Sequence, residues 1–176
     1  SHHDREWRRF RSLYNCFKRK IHRVKPKLKA KYRIPRRMHF IWLGSPIPER
    51  CLKIIDSWKK FHPDWELFVW TDIQIEHFHI ANKQAFDAAK NYGEKSDIWR
   101  YEILYRFGGV YVDTDFECLK PFDVFHQNCD FYTGIGYMKT SYCYNGLIGS
   151  RPRHPILKAC MDRIRVGPCD NIFNGI

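Results

Sequence analysis

Asp113 and Asp115 follow a short apolar run that ends at Val112. In an extended chain, residues two apart point the same way, so both carboxylates can meet on one ligand while Thr114 faces away. Paired oxygen donors suit Mg²⁺ or Mn²⁺, which usually complete their coordination with water and substrate phosphate. An Asp-x-Asp pair is also common in solvated turns after strands, so its meaning depends on the residues around it.

A second pair of charges precedes the acids, in a segment with helical periodicity. Asp97 and Arg100 lie among the apolar positions of the predicted helix 94–107, whereas Glu102 and Arg106 form an i,i+4 pair that we expect on its solvent side. Charges on an apolar face need partners. Asp97 and Arg100 are therefore expected either to pair with each other or to reach into a site, where a carboxylate would bind sugar hydroxyls and a guanidinium would bind phosphate.

The elements around these residues alternate between short apolar runs and helical periodicity, which predicts an α/β, Rossmann-like domain. In such sheets ligands bind beyond the carboxyl ends of the strands, where Asp113 and Asp115 would lie. The predicted strands are 38–43, 66–70, 110–112, 130–135 and 146–149. The predicted helices are one beginning at 48–49, then 72–80, 83–92, 94–107 and 154–165, with Gly108 or Gly109 ending the fourth in a left-handed cap.

The amino-terminal segment, residues 1–33, differs in composition from the domain predicted over 34–176. The whole chain carries a net charge of +12, and residues 1–37 hold 15 of its 31 Lys and Arg residues. Aromatic and aliphatic residues recur there at helical spacing, which predicts a basic amphipathic helix over 5–25 and a linker over 26–36. The helix could pack on its own domain, lie on an anionic membrane surface, or contact a partner or nucleic acid.

Charge distribution, apolar stretches and cysteine spacing argue against several classes of protein. The charge excess belongs to one segment, so nucleic acid is not expected as a partner of the domain. No apolar stretch approaches the roughly 20 residues that cross a bilayer, and no signal-peptide pattern is present, which favours a cytoplasmic or peripheral membrane protein. The seven cysteines contain no CxxC pair, so a zinc site is not indicated.

Four motifs in order resemble glycosyltransferase family 32. They are Ile34-Pro35 with Met38–Gly44, then Pro63–Glu66, Ser96-Asp97 with Arg100-Tyr101, and Gly108–Asp115. The family includes the yeast initiating mannosyltransferase and bacterial capsular-polysaccharide transferases, and the glucosyltransferase domains of clostridial toxins are related to it. The resemblance implies a GT-A fold, a UDP- or GDP-sugar donor, Mn²⁺ or Mg²⁺, a glycan acceptor, and transfer with retention of anomeric configuration.

The resemblance also implies roles for individual residues. Trp42 is similar to the aromatic residue that stacks on the nucleobase, and Asp97 and Arg100 to the contacts with donor sugar and phosphate. Tyr111 and Asp113 resemble residues on the ribose and diphosphate side, with Asp113 also near the metal. Asp115 resembles the direct metal ligand, and Asn145 a residue close to the transferred sugar, although a turn role is equally open for it.

The family continues past the point where this chain stops, so we expect a truncated or minimal enzyme. Two further classes of function stay open from the sequence. One is a metal-independent glycoside hydrolase with Asp113 and Asp115 as its paired carboxylates. The other is a non-catalytic module that binds sugar or nucleic acid. His154, which precedes Pro155, is expected to be structural.

Overall fold

A computed structural model of the protein describes residues 2–23, 31–137 and 141–166. In these ranges one five-stranded sheet is covered by helices. The strands are β1 (Arg37–Ile41), β2 (Glu66–Trp70), β3 (Gly109–Val112), β4 (Phe131–Tyr137) and β5 (Ser141–Ser150). The helices are α1 (His2–Arg23), α2 (Glu49–Phe61), α3 (Asp72–Ile75), α4 (Lys83–Ala88), α5 (Tyr92–Phe107), α6 (Asp123–Asn128) and α7 (Pro155–Arg163).

The sheet is mixed, with the order β2-β1-β3-β5-β4. β1 pairs in parallel with both β2 and β3, whereas β5 pairs antiparallel with β3 and β4. The chain runs outward from β1 to β2 and then returns to the other side of β1 to form β3. The strand order therefore reverses between β1 and β3, which is where open α/β sheets bind their ligands.

Each face of the sheet carries its own apolar core. Val110 and Val112 pack with α2 residues in one core, while Tyr111 packs with α5 and α7 residues in the other. This alternation follows the two-residue period of a strand. Because both faces are covered, β3 is buried along its whole length, as expected for the centre of an α/β sheet.

Gly108 and Gly109 make the sharp connection from α5 to β3. Both have left-handed backbones, with φ of 61° and 106°, a conformation that side chains other than hydrogen disfavour. The Gly108 N–H donates to the Leu104 carbonyl at 2.8 Å and so closes the helix. A Cβ on Gly109 would lie 2.6 Å from the Arg37 carbonyl oxygen, so this strand can approach β1 only with glycine here. The predicted glycine cap is confirmed.

Two buried histidines, His39 and His126, form hydrogen bonds with backbone carbonyls next to the sheet, and both rings are uncharged. His39 donates from Nε2 to the Gly108 carbonyl at 2.8 Å and accepts at Nδ1 from the Trp70 indole N–H at 3.2 Å. His126 lies 3.0 Å from the Pro35 carbonyl through Nδ1. Burial lowers the pKa of His39 to about 4 and that of His126 to about 3, so both rings are uncharged at neutral pH.

Several predicted segment boundaries differ from the structure. The predicted helices 72–80 and 83–92 are observed as the shorter α3 and α4, and residues 76–82 and 89–91 lie outside the helices. α6 was not predicted, since its six residues are too few to show helical periodicity. β5 begins well before the predicted position 146, where polar and glycine residues weaken the apolar pattern.

Glu102 corrects one expectation from the sequence. It does not mark the solvent side of α5 but is 4% exposed. Its carboxylate accepts hydrogen bonds from the backbone N–H groups of Ala81 and Asn82 at 2.7 and 2.8 Å. Those long-range partners satisfy the buried charge, and helical spacing alone could not reveal them. Arg106 is exposed, as predicted.

The basic amino-terminal helix is present as α1, which contacts β5. Its exposed side chains include Arg8, Arg9 and Arg11. Residues 26–30 of the predicted linker lie outside the described residues, whereas 31–36 are described and form neither helix nor strand. Within the described ranges, none of the helices combines the length and apolar character needed to cross a membrane.

Candidate functional site

The predicted site residues gather at the carboxyl edge of β1 and β3. The parallel register pairs His39 with Tyr111, so the chain leaving β1 at Trp42 and the chain leaving β3 at Asp113 emerge at the same edge. This is the position at which the strand order reverses. The backbone thus brings two predicted donor-binding residues to the crevice that such sheets use for ligands.

Arg100 is the centre of the site. Its Nη2 lies 2.8 Å from Asp97 Oδ1 and its Nη1 lies 3.3 Å from Asp113 Oδ1. Nη1 also donates to the Asn145 carbonyl at 2.9 Å, and Nε donates to the Ser96 carbonyl at 3.1 Å. The expected i,i+3 pair with Asp97 therefore forms, and the same guanidinium also reaches Asp113, the first acid of the Asp-x-Asp pair.

Tyr111 fixes the position of this guanidinium. The Arg100 Cζ lies 4.4 Å from the centre of the Tyr111 ring, a cation–π arrangement. The Tyr111 hydroxyl donates to Asp113 Oδ1 at 2.8 Å. Burial, opposed by the Arg100 charge, raises the pKa of Tyr111 well above its ordinary range. The phenol is thus a permanent donor that orients the Asp113 carboxylate.

An irregularity in β5 delivers Asn145 to this network. Thr133 of β4 pairs with Ile148, but the next residue, Gly134, pairs with Tyr144. Residues 145–147 are therefore extra on the β5 side of the ladder. Such bulges occur near active sites, where they redirect side chains.

The bulge places Asn145 and Gly146 against the two acids. The Asn145 side-chain amide donates to Asp97 Oδ1 at 2.9 Å. The Gly146 carbonyl accepts from the Asp113 N–H at 2.8 Å, and a Cβ on Gly146 would lie 2.4 Å from Asp113 Oδ2. Asn145 therefore sits inside the network and is not a simple turn residue, while Gly146 leaves room for the Asp113 carboxylate.

In this network the buried guanidinium of Arg100 lies between two carboxylates, those of Asp97 and Asp113, that remain partly exposed. The Arg100 side chain is 5% exposed, whereas those of Asp97 and Asp113 are 41% and 26% exposed. Burial raises the pKa of Asp97, although the Arg100 charge and the Asn145 hydrogen bond oppose that effect. Each acid thus offers oxygen atoms to a ligand while Arg100 holds it in place.

Asp115 and Trp42 lie at the same edge without joining the network. Asp115 is exposed, and within the described ranges it makes no hydrogen bond or ion pair. Trp42 is partly buried and donates from its indole N–H to Ser45 Oγ at 3.2 Å. The loop after Trp42 is held by Asp72, whose carboxylate accepts from the Gly44 N–H at 2.8 Å.

His154 has a structural position, as the sequence predicts. It precedes Pro155 at the start of α7, and its Nδ1 accepts from the Ile156 N–H at 3.3 Å. Its ring stacks on Phe131 with the ring centres 5.1 Å apart.

The oxygen donors fit a divalent metal only as part of a shared coordination shell. In the described parts of the chain no three His, Cys, Asp or Glu side chains cluster closely enough to hold an ion. Asp113 and Asp115 offer two carboxylates, which matches ions that take their remaining ligands from water and phosphate. The donor set thus suits Mg²⁺ or Mn²⁺ bound together with a substrate.

The mixed sheet carries the Asp-x-Asp pair at the edge where its strand order reverses, and this fold is similar to that of a GT-A glycosyltransferase. Residues 48–132 match the model of the family described as glycosyltransferase sugar-binding region containing DXD motif. The solved structure of PaToxG Glycosyltransferase superposes with a TM-score of 0.54 at 24% identity, covering 90% of this chain and 69% of that one. That likeness shows the fold.

Two curated relatives extend the comparison. The chain is 35% identical over 136 residues to inositol phosphoceramide mannosyltransferase 1 of Schizosaccharomyces pombe. The aligned region covers 71% of this chain and 41% of the relative. It is 33% identical over 131 residues to a mannosyl phosphorylinositol ceramide synthase of Saccharomyces cerevisiae, covering 72% and 34%. The chain thus spans less than half the length of these relatives.

Proposed function

We propose that the chain forms the donor-binding part of a metal-dependent retaining glycosyltransferase, which moves a hexose from a nucleoside-diphosphate sugar to a hydroxyl acceptor. The observation that carries the proposal is the buried Arg100 held between Asp97 and Asp113 beside the exposed Asp115. A fixed cation next to accessible carboxylates is what a sugar diphosphate requires, because the diphosphate needs positive charge and the sugar hydroxyls need acceptors.

Arg100 supplies the charge in this scheme. Cleavage of the bond between sugar and diphosphate builds negative charge on the leaving phosphate, and a guanidinium already oriented by its neighbours stabilises that charge without reorganising. Asp97 and Asn145 are proposed to contact the donor sugar, and Tyr111 to hold Asp113 on the ribose and diphosphate side. Trp42, at the same edge, is proposed to stack on the nucleobase.

Asp115 is proposed to bind Mn²⁺ or Mg²⁺ directly, with Asp113 beside it and partly acting through water. The exposed carboxylate of Asp115 has free oxygens, whereas Oδ1 of Asp113 already accepts from Tyr111. When bound, the metal would neutralise diphosphate charge as a Lewis acid. Retention follows if the acceptor hydroxyl attacks the anomeric carbon on the same face from which the diphosphate leaves and passes its proton to the leaving phosphate oxygen, so that the protein supplies no nucleophile.

The names of the relatives suggest the substrates. Both yeast proteins are named for mannosyl transfer to inositol phosphoceramide or for the product of that transfer. We therefore propose mannose as the sugar, from a GDP- or UDP-linked donor, and a polyhydroxylated acceptor attached to a lipid.

A lipid acceptor gives a role to the basic helix. α1 contains Arg5, Arg8, Arg9, Arg11, Lys18, Arg19, Lys20 and Arg23 but only Asp4 and Glu6 as acids. We propose that residues 5–25 contact an anionic membrane surface, since each such base contributes about 1 kcal/mol there. Flotation with anionic and neutral vesicles at two salt concentrations tests this, and binding that ignores lipid charge or salt would contradict it.

A thermal-shift panel of GDP, UDP and their mannose and glucose conjugates, with and without Mn²⁺, tests the central proposal. Binding at 100 times the dissociation constant adds about 2.7 kcal/mol of stability, which corresponds to a rise in Tm of about 5–10 °C for a chain of this size. Asp115→Asn should remove the Mn²⁺-dependent part. Asp64→Asn, an exposed acid before β2, is the matched control and should leave it intact. No stabilisation by any nucleotide would refute the proposal.

A further inference from the structure

The hairpin of β4 and β5 carries a tyrosine face that the donor site does not use. Tyr142 lies opposite Gly136, and Tyr144 lies opposite Gly134. Residues directly opposite in an antiparallel pair share a face, so two tyrosines lie beside two glycines. A Cβ on Gly136 would fall 2.3 Å from Tyr142 Cζ, which shows that this ring lies over the neighbouring strand at Gly136.

This face is continuous with the acid pair. A Cβ on Gly146 would lie 2.4 Å from Tyr144 Cε1 and equally close to Asp113 Oδ2, so the ring and the carboxylate meet over the same glycine. Phe116 lies on the other side of Tyr144, with ring centres 5.7 Å apart, and Tyr142 follows at 6.5 Å. The row Phe116, Tyr144 and Tyr142 thus leads from the site outward along the hairpin.

The exposure and the free hydroxyls of this row suit the binding of a ligand. Tyr142 is 40% exposed. Within the described ranges no hydrogen bond engages the hydroxyl of Tyr142 or Tyr144, which leaves both as donors. Exposed aromatic rings with free hydroxyls match a ligand ring that has C–H groups on its faces and hydroxyls on its edge.

We propose that the tyrosine face, Phe116, Tyr144 and Tyr142, binds the acceptor through a six-membered polyhydroxylated ring, a cyclitol or a pyranose. Because the two tyrosine rings are inclined at 62°, the ligand ring stacks on Tyr142 with its edge against Tyr144, and one of its hydroxyls points towards Asp113. This inference rests on the proposed transfer reaction, because it assigns the acceptor side of the same site.

Ligand-observed NMR titrations of the intact chain test the proposal, with myo-inositol and methyl α-mannopyranoside as probes, in the presence and absence of GDP and Mn²⁺. The cyclitol arm represents a lipid headgroup and the pyranoside arm a glycan. At least one probe should bind the wild-type chain. Tyr142→Ala and Tyr142→Leu should weaken it about tenfold, which corresponds to about 1.4 kcal/mol. Tyr142→Phe should keep most of the affinity, since the ring remains.

Ile135→Ala is the matched control. Ile135 is 59% exposed on the same hairpin but pairs with Cys143, so it lies on the opposite face from Tyr142. It should leave probe binding unchanged. Equal losses for Ile135→Ala and Tyr142→Leu, full affinity in Tyr142→Leu, or no binding of either probe would overturn the inference.

The nucleotide measurement separates this inference from the proposed function. Stabilisation by a nucleotide with Mn²⁺, without any effect of Tyr142 variants on the probes, refutes the tyrosine face and leaves the donor site standing. Probe binding that depends on Tyr142, without nucleotide binding, supports the face and refutes the transferase.

Discussion

The substitution Arg100→Lys tests whether one guanidinium organises the site. It keeps the positive charge but replaces a planar fork of five N–H donors by a single ammonium. Arg100 is only 5% exposed and contacts Asp97, Asp113 and the carbonyls of Ser96 and Asn145. A lysine at this position cannot reach all four partners.

The expected loss follows from these contacts. Hydrogen bonds to charged groups contribute about 1.5–3 kcal/mol each. Two of the four contacts should be lost, and because Asp97 is 41% exposed, water recovers part of its interaction. We therefore take about 1.5 kcal/mol for each of the two lost hydrogen bonds. The free energy of unfolding should fall by about 3 kcal/mol, which corresponds to a fall in Tm of about 6–12 °C.

Urea unfolding of the chain measures this loss, with Arg106→Lys as the matched control on the same helix. Arg106 is exposed and donates to the His79 carbonyl at 3.1 Å while lying over the Phe78 ring. Surface changes of this kind usually stay within about 0.5 kcal/mol. In steady-state kinetics Arg100→Lys should lower turnover more than nucleotide affinity, because we propose that the guanidinium stabilises charge that develops during transfer.

Equal stability of the two lysine variants would refute the reasoning, since it would mean that the four contacts of Arg100 contribute no more than the contacts of an exposed arginine. Equal losses of turnover and nucleotide affinity in Arg100→Lys would limit its role to binding.

Three further outcomes are expected. The folded-state pKa values of His39 and His126, about 4 and about 3, lie below the unfolded value of 6.5, so their contribution is present above pH 6.5 and lost as pH falls. By pH 5 each should cost about 2 kcal/mol, and urea midpoints that stay constant from pH 7.5 to 5 would contradict this. Gly146→Ala should lower the free energy of unfolding by about 1–3 kcal/mol and weaken Mn²⁺-nucleotide binding in a thermal-shift titration. Gly134→Ala is the control, because its Cβ would meet its nearest atom at 3.6 Å, and it should change neither stability nor binding. Asp115→Asn should abolish the Mn²⁺ effect on nucleotide binding without changing the urea midpoint, while Asp113→Asn should lower both; equal midpoints for the two variants would count against the network.

The sequence predicted the α/β class and the local grouping of the acids because both depend on short-range patterns. The period of β3, the glycine cap and the spacing of Asp113 and Asp115 are visible over a few residues. Asp97 and Arg100 stood out as charges on an apolar helical face.

The rest depended on contacts between distant parts of the chain. Glu102 looks like a surface residue on a helical wheel, and only the loop at Ala81 shows why it is buried. The bulge at 145–147 follows from unequal pairing of β4 and β5, which no single strand encodes. Tyr144 reaches the acids through that bulge, so its place in the site could not be predicted from its position in the sequence.

The two acids of the motif therefore have unequal positions for a physical reason. Asp113 continues a buried strand, so its carboxylate meets Tyr111 and Arg100 and is fixed before any ligand arrives. Asp115 is two residues further on, beyond the sheet, and is exposed. A fixed carboxylate can orient a donor, while a free one can complete the shell of an ion that arrives with its substrate. The different roles proposed for the two acids are thus consistent with where the strand ends.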